Sequence, residues 1–164
     1  PLEDLPMPKI VAALAAVAFV WAVNAPSAAA AECETPLPED VRIVAPGTDV
    51  PLDLARFSGA WGDGKWGGQL CNTLIVEMVA ADGVIEAIYS WGEYREWDTA
   101  PGFSRISASV IDGKLAFAAP HGGTVIYWLS GRYVRGAYER GTLDVRITLV
   151  EKDLNRSPLG EFMD

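Results

Sequence analysis

From Phe57 to Glu151 apolar and polar residues alternate with a period of two, the repeat of a strand that buries one face. Short turn signals cut this region into eight predicted strands. The first covers 57–61 and is followed by a glycine-rich turn through Gly62, Gly64, Gly67 and Gly68. The others cover 70–79, 84–91, 103–111, 114–119, 124–129, 132–138 and 143–151. Asp112-Gly113 is a strong two-residue hairpin signal, because both residue types tolerate positive φ. Every connection is short except 92–102, so consecutive strands should pair antiparallel in chain order. The fold class is therefore all-β: an eight-stranded antiparallel up-and-down meander barrel, with a two-sheet β-sandwich as the alternative. Barrel closure removes exposed strand edges, and no long crossover is present.

The alternation also assigns the inward face. The last strand is clearest, with Leu143, Val145, Ile147 and Leu149 on one side. The second strand puts Leu70, Leu74, Val76 and Met78 inside and Cys71 and Thr73 outside. Ile85, Ala87, Tyr89 and Trp91 share the inner face of the third strand. Ile106, Ala108 and Val110 follow on the fourth, and Leu115, Phe117 and Ala119 on the fifth. Val125, Tyr127 and Leu129, then Val134, Gly136 and Tyr138, complete the wall. This interior mixes small residues with the amphipathic rings of Tyr89, Trp91, Tyr127 and Tyr138. An eight-stranded barrel is just wide enough to be filled by side chains or to hold one small ligand. Those four aromatics are the candidate ligand-binding residues. The loop Trp91-Gly92-Glu93-Tyr94-Arg95-Glu96-Trp97-Asp98 adds Trp97, which either meets a ligand at the mouth or folds down as a plug.

The start of the chain has a different character. After Met7 and Lys9, residues 10–23 are unbroken apolar, and Ala29-Ala30-Ala31 offers small residues before Glu32. This reads as a secretory signal peptide cut before Glu32, with residues 1–6 as an upstream extension. The run is too short for a membrane span of about 20 residues. The expected organisation is thus 1–31 upstream residues and signal peptide, 32–55 a proline-rich extended lead-in, 56–152 the barrel, and 153–164 a loose tail. Within the lead-in, residues 41–44 are apolar enough to add an edge strand. Export, periplasmic or extracellular, places Cys33 and Cys71 in an oxidising compartment and predicts a disulfide between them. Lipid attachment is the alternative for a cysteine so near a signal peptide, but Glu32 stands where a small residue is wanted.

Charge and inventory narrow the function. The full chain carries −9; residues 1–31 hold Glu3, Asp4 and Lys9, which leaves −8 on the remainder. That balance argues against nucleic acid and against anionic membrane surfaces. No insertion into a membrane is expected once the signal is removed, and nothing in the sequence sets an oligomeric state. A domain of this length needs no metal or cofactor to fold, and none is expected. His121 is the single histidine and lies in a turn. No nucleophile motif or metal-ligand spacing is present, so no catalytic residue is assigned. Glu93, Glu96 and Asp98 offer an acid pair for glycoside cleavage, though carboxylates two or three apart are common on the loops of an acidic protein.

The segment Phe57-Ser58-Gly59-Ala60-Trp61 carries a Gly-x-Trp on the first strand. It resembles the calycin superfamily, the lipocalins and avidin-like barrels. That resemblance implies that Trp61 closes one barrel end beneath a basic residue from a late strand, Arg135 or Arg146. The middle Thr-Asp-Tyr stretch and C-terminal helix of lipocalins are absent. The chain is also similar to small proteobacterial exported domains with a Phe-x-Gly-x-Trp start and a Tyr-x-Trp-Gly centre (Tyr89 to Gly92), a likeness that implies no activity. The sequence therefore points to an exported, non-catalytic module that holds a small amphipathic or aromatic ligand. The alternatives are a glycan or ester hydrolase working through loop 91–98, and a surface-interaction protein with a filled barrel.

Overall fold

A computed structural model describes residues 33–154. The signal-peptide reading of 1–31, residue Glu32 and most of the tail lie outside the described residues. Eight strands follow one another around a closed antiparallel barrel in chain order. They are β1 (Gly59–Trp66), β2 (Leu70–Val79), β3 (Val84–Trp91), β4 (Gly102–Ile111), β5 (Lys114–Ala118), β6 (Thr124–Ser130), β7 (Tyr133–Arg140) and β8 (Leu143–Glu151). Asp112 and Gly113 both take positive φ, 50° and 72°, as a tight hairpin between β4 and β5 requires. Among the described residues no helix is long and apolar enough to cross a membrane.

Closure is uneven. β2 to β4 and β5 to β8 form two well-paired halves. The β4–β5 seam has only the pairs Val110–Leu115 and Ile111–Lys114, and β1 meets β8 at Trp61–Glu151 and Gly62–Val150. The far ends of β4 and β5 therefore diverge, which widens the barrel at the end that carries the β3–β4 loop.

The inward assignments of the alternation hold, with two corrections. β1 does not stop at Trp61 for a turn; it continues through a bulge to Trp66, and only Gly67 and Gly68 turn. The glycines mark close approach instead: a β-carbon on Gly64 would stand 2.4 Å from the Thr148 carbonyl oxygen and 2.7 Å from Leu149 Cδ2. In β2 a register shift between Val76 and Met78 turns Met78 out to 41 % exposure and brings Val79 inside. One extra residue reverses the parity of everything after it.

The end where β1 begins is closed. The residues 50–57, expected to be extended, include the short helix α1 (Leu52–Ala55), whose leucine Leu54 packs with Val50 and Phe57 against the core. Arg56 donates to the carbonyl of Gly131 in the β6–β7 turn, pinning this plug across the opening. Trp61 lies in the same core, and its indole N–H donates to the Phe57 carbonyl at 2.8 Å. Among the described residues neither Arg135 nor Arg146 covers it. Arg135 is exposed on the outer wall, where strand parity puts it, and Arg146 pairs outside with Asp144 at 2.7 Å.

The proline-rich lead-in runs over the outer wall of β1–β3. Cys33 and Cys71 form the disulfide, with Cα atoms 5.3 Å apart. Thr35 donates to Thr73 at 2.8 Å, and Ser90 donates to the Pro36 carbonyl at 2.5 Å. Leu37 and Val41 cover a small outer core of Ala60, Ile75 and Ile88. Residues 41–44 do not form the expected edge strand. The backbone N–H of Val44 reaches Glu77 O at 2.8 Å and that of Arg42 reaches the Glu77 carboxylate at 2.9 Å, too few rungs for a ladder.

Candidate functional site

The interior has two levels. The lower one is packed shut. Tyr127 is fully buried and donates its hydroxyl to Asn72 Oδ1 at 2.5 Å, while Asn72 Nδ2 donates to the Ser90 carbonyl at 2.6 Å. Burial holds the Tyr127 pKa well above the usual phenol value, so the hydroxyl remains a donor. Each buried polar atom in this relay has a partner, which removes the main cost of placing it in a core. Tyr127 is thus part of the floor and does not reach the space above it.

Above Tyr127 lies an open cavity of about 450 Å³ at the splayed end. That volume falls in the range of small-molecule pockets, about 300–1,000 Å³. Tyr89, Trp91, Tyr138 and Trp97, four of the five aromatics expected to meet a ligand, line it together. β3 supplies the first two from its inner face, and β7 supplies Tyr138. Trp91 is anchored by donating its indole N–H to the Ala100 carbonyl at 2.9 Å, and the His121 ring stands edge-on to it with centroids 4.8 Å apart. Tyr138 donates to the Gly122 carbonyl at 2.8 Å. Trp97 sits in the short 3-10 turn Arg95–Trp97, T-shaped against Tyr94, and is 39 % exposed at the lip. It borders the entrance and does not plug it.

Sequence reasoning missed the residue at the cavity's depth. Trp66 ends β1, is 1 % exposed and lies between the Tyr127 and Tyr138 rings, with centroids 5.8 and 6.2 Å away. Its indole nitrogen is buried without a hydrogen-bond partner. The alternation that continues Trp61, Gly64, Trp66 past the bulge was the available signal, and the glycines hid it. Tyr89 is nearby; burial raises its pKa first, and the facing Trp66 indole opposes that rise. Two charged residues, Arg140 and Asp98, also line the cavity and form no ion pair among the described residues. Leu70, Ala119 and Leu143 add apolar wall.

No protein-family model, curated protein or solved structure matches this chain. The barrel fits a calycin-like fold by architecture alone, and the site is read from its own geometry.

The loop carboxylates do not converge. Glu93 pairs with Arg95 at 3.2 Å on the exposed surface, and Glu96 accepts the Tyr94 hydroxyl at 2.5 Å. Asp98 alone of the three borders the cavity. Among the described residues no group of three or more His, Cys, Asp or Glu is placed to hold a metal ion.

Proposed function

We propose that this chain is an exported, non-catalytic binding module of calycin-like type, holding a small amphipathic or aromatic ligand in the mouth of its barrel. The observation that carries the reading is the contrast between the two barrel ends. One is sealed by residues 50–57, and the other opens into a cavity walled by Trp66, Tyr89, Trp91, Trp97 and Tyr138. Aromatic walls suit a flat ligand: burial of apolar area contributes about 25 cal/mol per Å², and each well-placed ring pair about 0.5–1.5 kcal/mol more. Trp91 and Tyr138 are fixed by hydrogen bonds to backbone carbonyls before any ligand arrives, which lowers the ordering cost of binding.

The disulfide supports export, since such bonds persist in oxidising compartments. The hydrolase reading finds one carboxylate at the cavity where the chemistry asks for a pair. The filled-barrel reading describes the floor around Tyr127 but not the mouth.

The test is binding of the fluorescent aromatic 8-anilinonaphthalene-1-sulfonate to the folded protein and to a Trp97→Ala variant. Saturable binding, weakened by the variant with an unchanged melting temperature, supports the reading. Absence of saturable binding to this probe and to a wider panel of aromatic compounds overturns it.

A further inference from the structure

The cavity wall is chemically one-sided at its inner end, and this limits what can enter. Trp66 presents an N–H with no acceptor. The Tyr89 hydroxyl, which that indole faces, stays protonated because it is buried. If the indole closes onto the Tyr89 oxygen, the phenolic hydrogen is still left over. The buried donor left without a partner in the structure is the Trp66 N–H. The other polar groups at this depth offer no compensation. Trp91 and Tyr138 have already spent their hydrogens on backbone carbonyls, and Asn72 and Tyr127 satisfy each other below. A buried donor without a partner costs about 1–3 kcal/mol, so an acceptor placed here gains more than an ordinary surface hydrogen bond would.

From this geometry, and resting on the reading of the cavity as a ligand site, we infer that the ligand is a planar aromatic carbonyl compound that enters with its neutral carbonyl oxygen toward Trp66 and Tyr89. A neutral oxygen fits better than a carboxylate. The surroundings that disfavour the Tyr89 phenolate disfavour any anion at the same depth. Arg140, the one cation on the cavity wall among the described residues, has its own separate contribution to anion binding, and the test removes it.

The experiment is calorimetric titration of the whole protein with three ligands of one shape: 2-acetylnaphthalene, its hydrocarbon analogue 2-isopropenylnaphthalene, and 2-naphthoate. The ketone should bind about tenfold or more tightly than the hydrocarbon, the ratio for one well-placed hydrogen bond. Tyr89→Phe and Trp66→Phe should each shrink that ratio. In Arg140→Gln the naphthoate should bind more weakly than the ketone. Because Trp66→Phe alters a packed position, Tyr89→Phe is the variant that decides if the former fails to fold. Equal affinity for ketone and hydrocarbon, or a naphthoate preference that survives Arg140→Gln, overturns the inference and leaves the binding function standing. If none of the three ligands binds, the inference falls, and the wider panel of aromatic compounds decides the binding function.

Discussion

Gly136 exists where it does because of Tyr127. A β-carbon on Gly136 would lie 2.7 Å from both Cδ1 and Cε1 of the Tyr127 ring, and 2.9 Å from Ile147 Cγ2. The ring lies flat over the missing side chain and fills the barrel floor, so small and large inward residues here are complementary parts of one packed layer. Gly136→Ala should therefore destabilise by about 1–3 kcal/mol, the usual cost of overpacking a rigid core. Urea unfolding of the variant checks this; an unchanged midpoint would mean that the floor is loosely packed.

The lead-in depends on its disulfide. Cys33 ties a strap whose Leu37 and Val41 cover Ala60, Ile75 and Ile88. Closing the 38-residue separation stabilises by about 4 kcal/mol in the chain-entropy picture. Cys33→Ala with Cys71→Ala should lower stability by about 2–5 kcal/mol, read from denaturant midpoints in the absence of reductant. Non-reducing mass analysis of the native protein should find two hydrogens fewer than after reduction.

Alkali should unfold the barrel. Tyr89 and Tyr127 have folded-state pKa values raised by burial above the unfolded value of about 10. Between those values the folded state binds more protons than the unfolded one, so stability falls as pH rises. Each tyrosine contributes a slope of about 1.4 kcal/mol per pH unit above pH ~10, and nothing below it. Tyr127→Phe should flatten the alkaline limb of a stability-versus-pH curve. Absorbance at 295 nm should show these two phenols ionising only as the protein unfolds; early ionisation of all tyrosines would contradict their burial.

Much of this fold was legible because the inward residues recur with a period of two, most cleanly at Leu143, Val145, Ile147 and Leu149 of β8, and Asp112-Gly113 names its own turn. Outward parity of Cys71 likewise placed the disulfide on the barrel wall, where the strap lies. What stayed hidden has particular causes. The bulge at Val76–Met78 changes parity without any residue that announces it. Gly62 and Gly64 look like a turn, yet they are places where β1 runs tight against its neighbours, and so Trp66 was lost from the predicted site. Asn72 is polar at an inward position, and only the partner hydroxyl of Tyr127, 55 residues away, explains it. Arg135 as a barrel-end cover follows from a family resemblance, whereas strand parity places it outside.

Trp97 separates binding from stability. It is 39 % exposed at the cavity lip and contacts Tyr94 within its own loop. Trp97→Ala should change stability by less than about 0.5–1 kcal/mol, as exposed substitutions do. Trp91→Ala should cost about 3–5 kcal/mol, because that ring is buried and its N–H is bonded to Ala100. Thermal melts of the two variants side by side give the comparison. Equal losses would mean that loop 91–98 packs as firmly as the strands.

The central claim is that the barrel mouth holds a small molecule. Native mass spectrometry of the protein purified gently from its own source tests this most directly. The account predicts a mass above that of the polypeptide by one small aromatic compound, lost on denaturation and diminished in Trp97→Ala. A bare polypeptide mass at native abundance, together with no uptake of aromatic compounds on incubation, would contradict it.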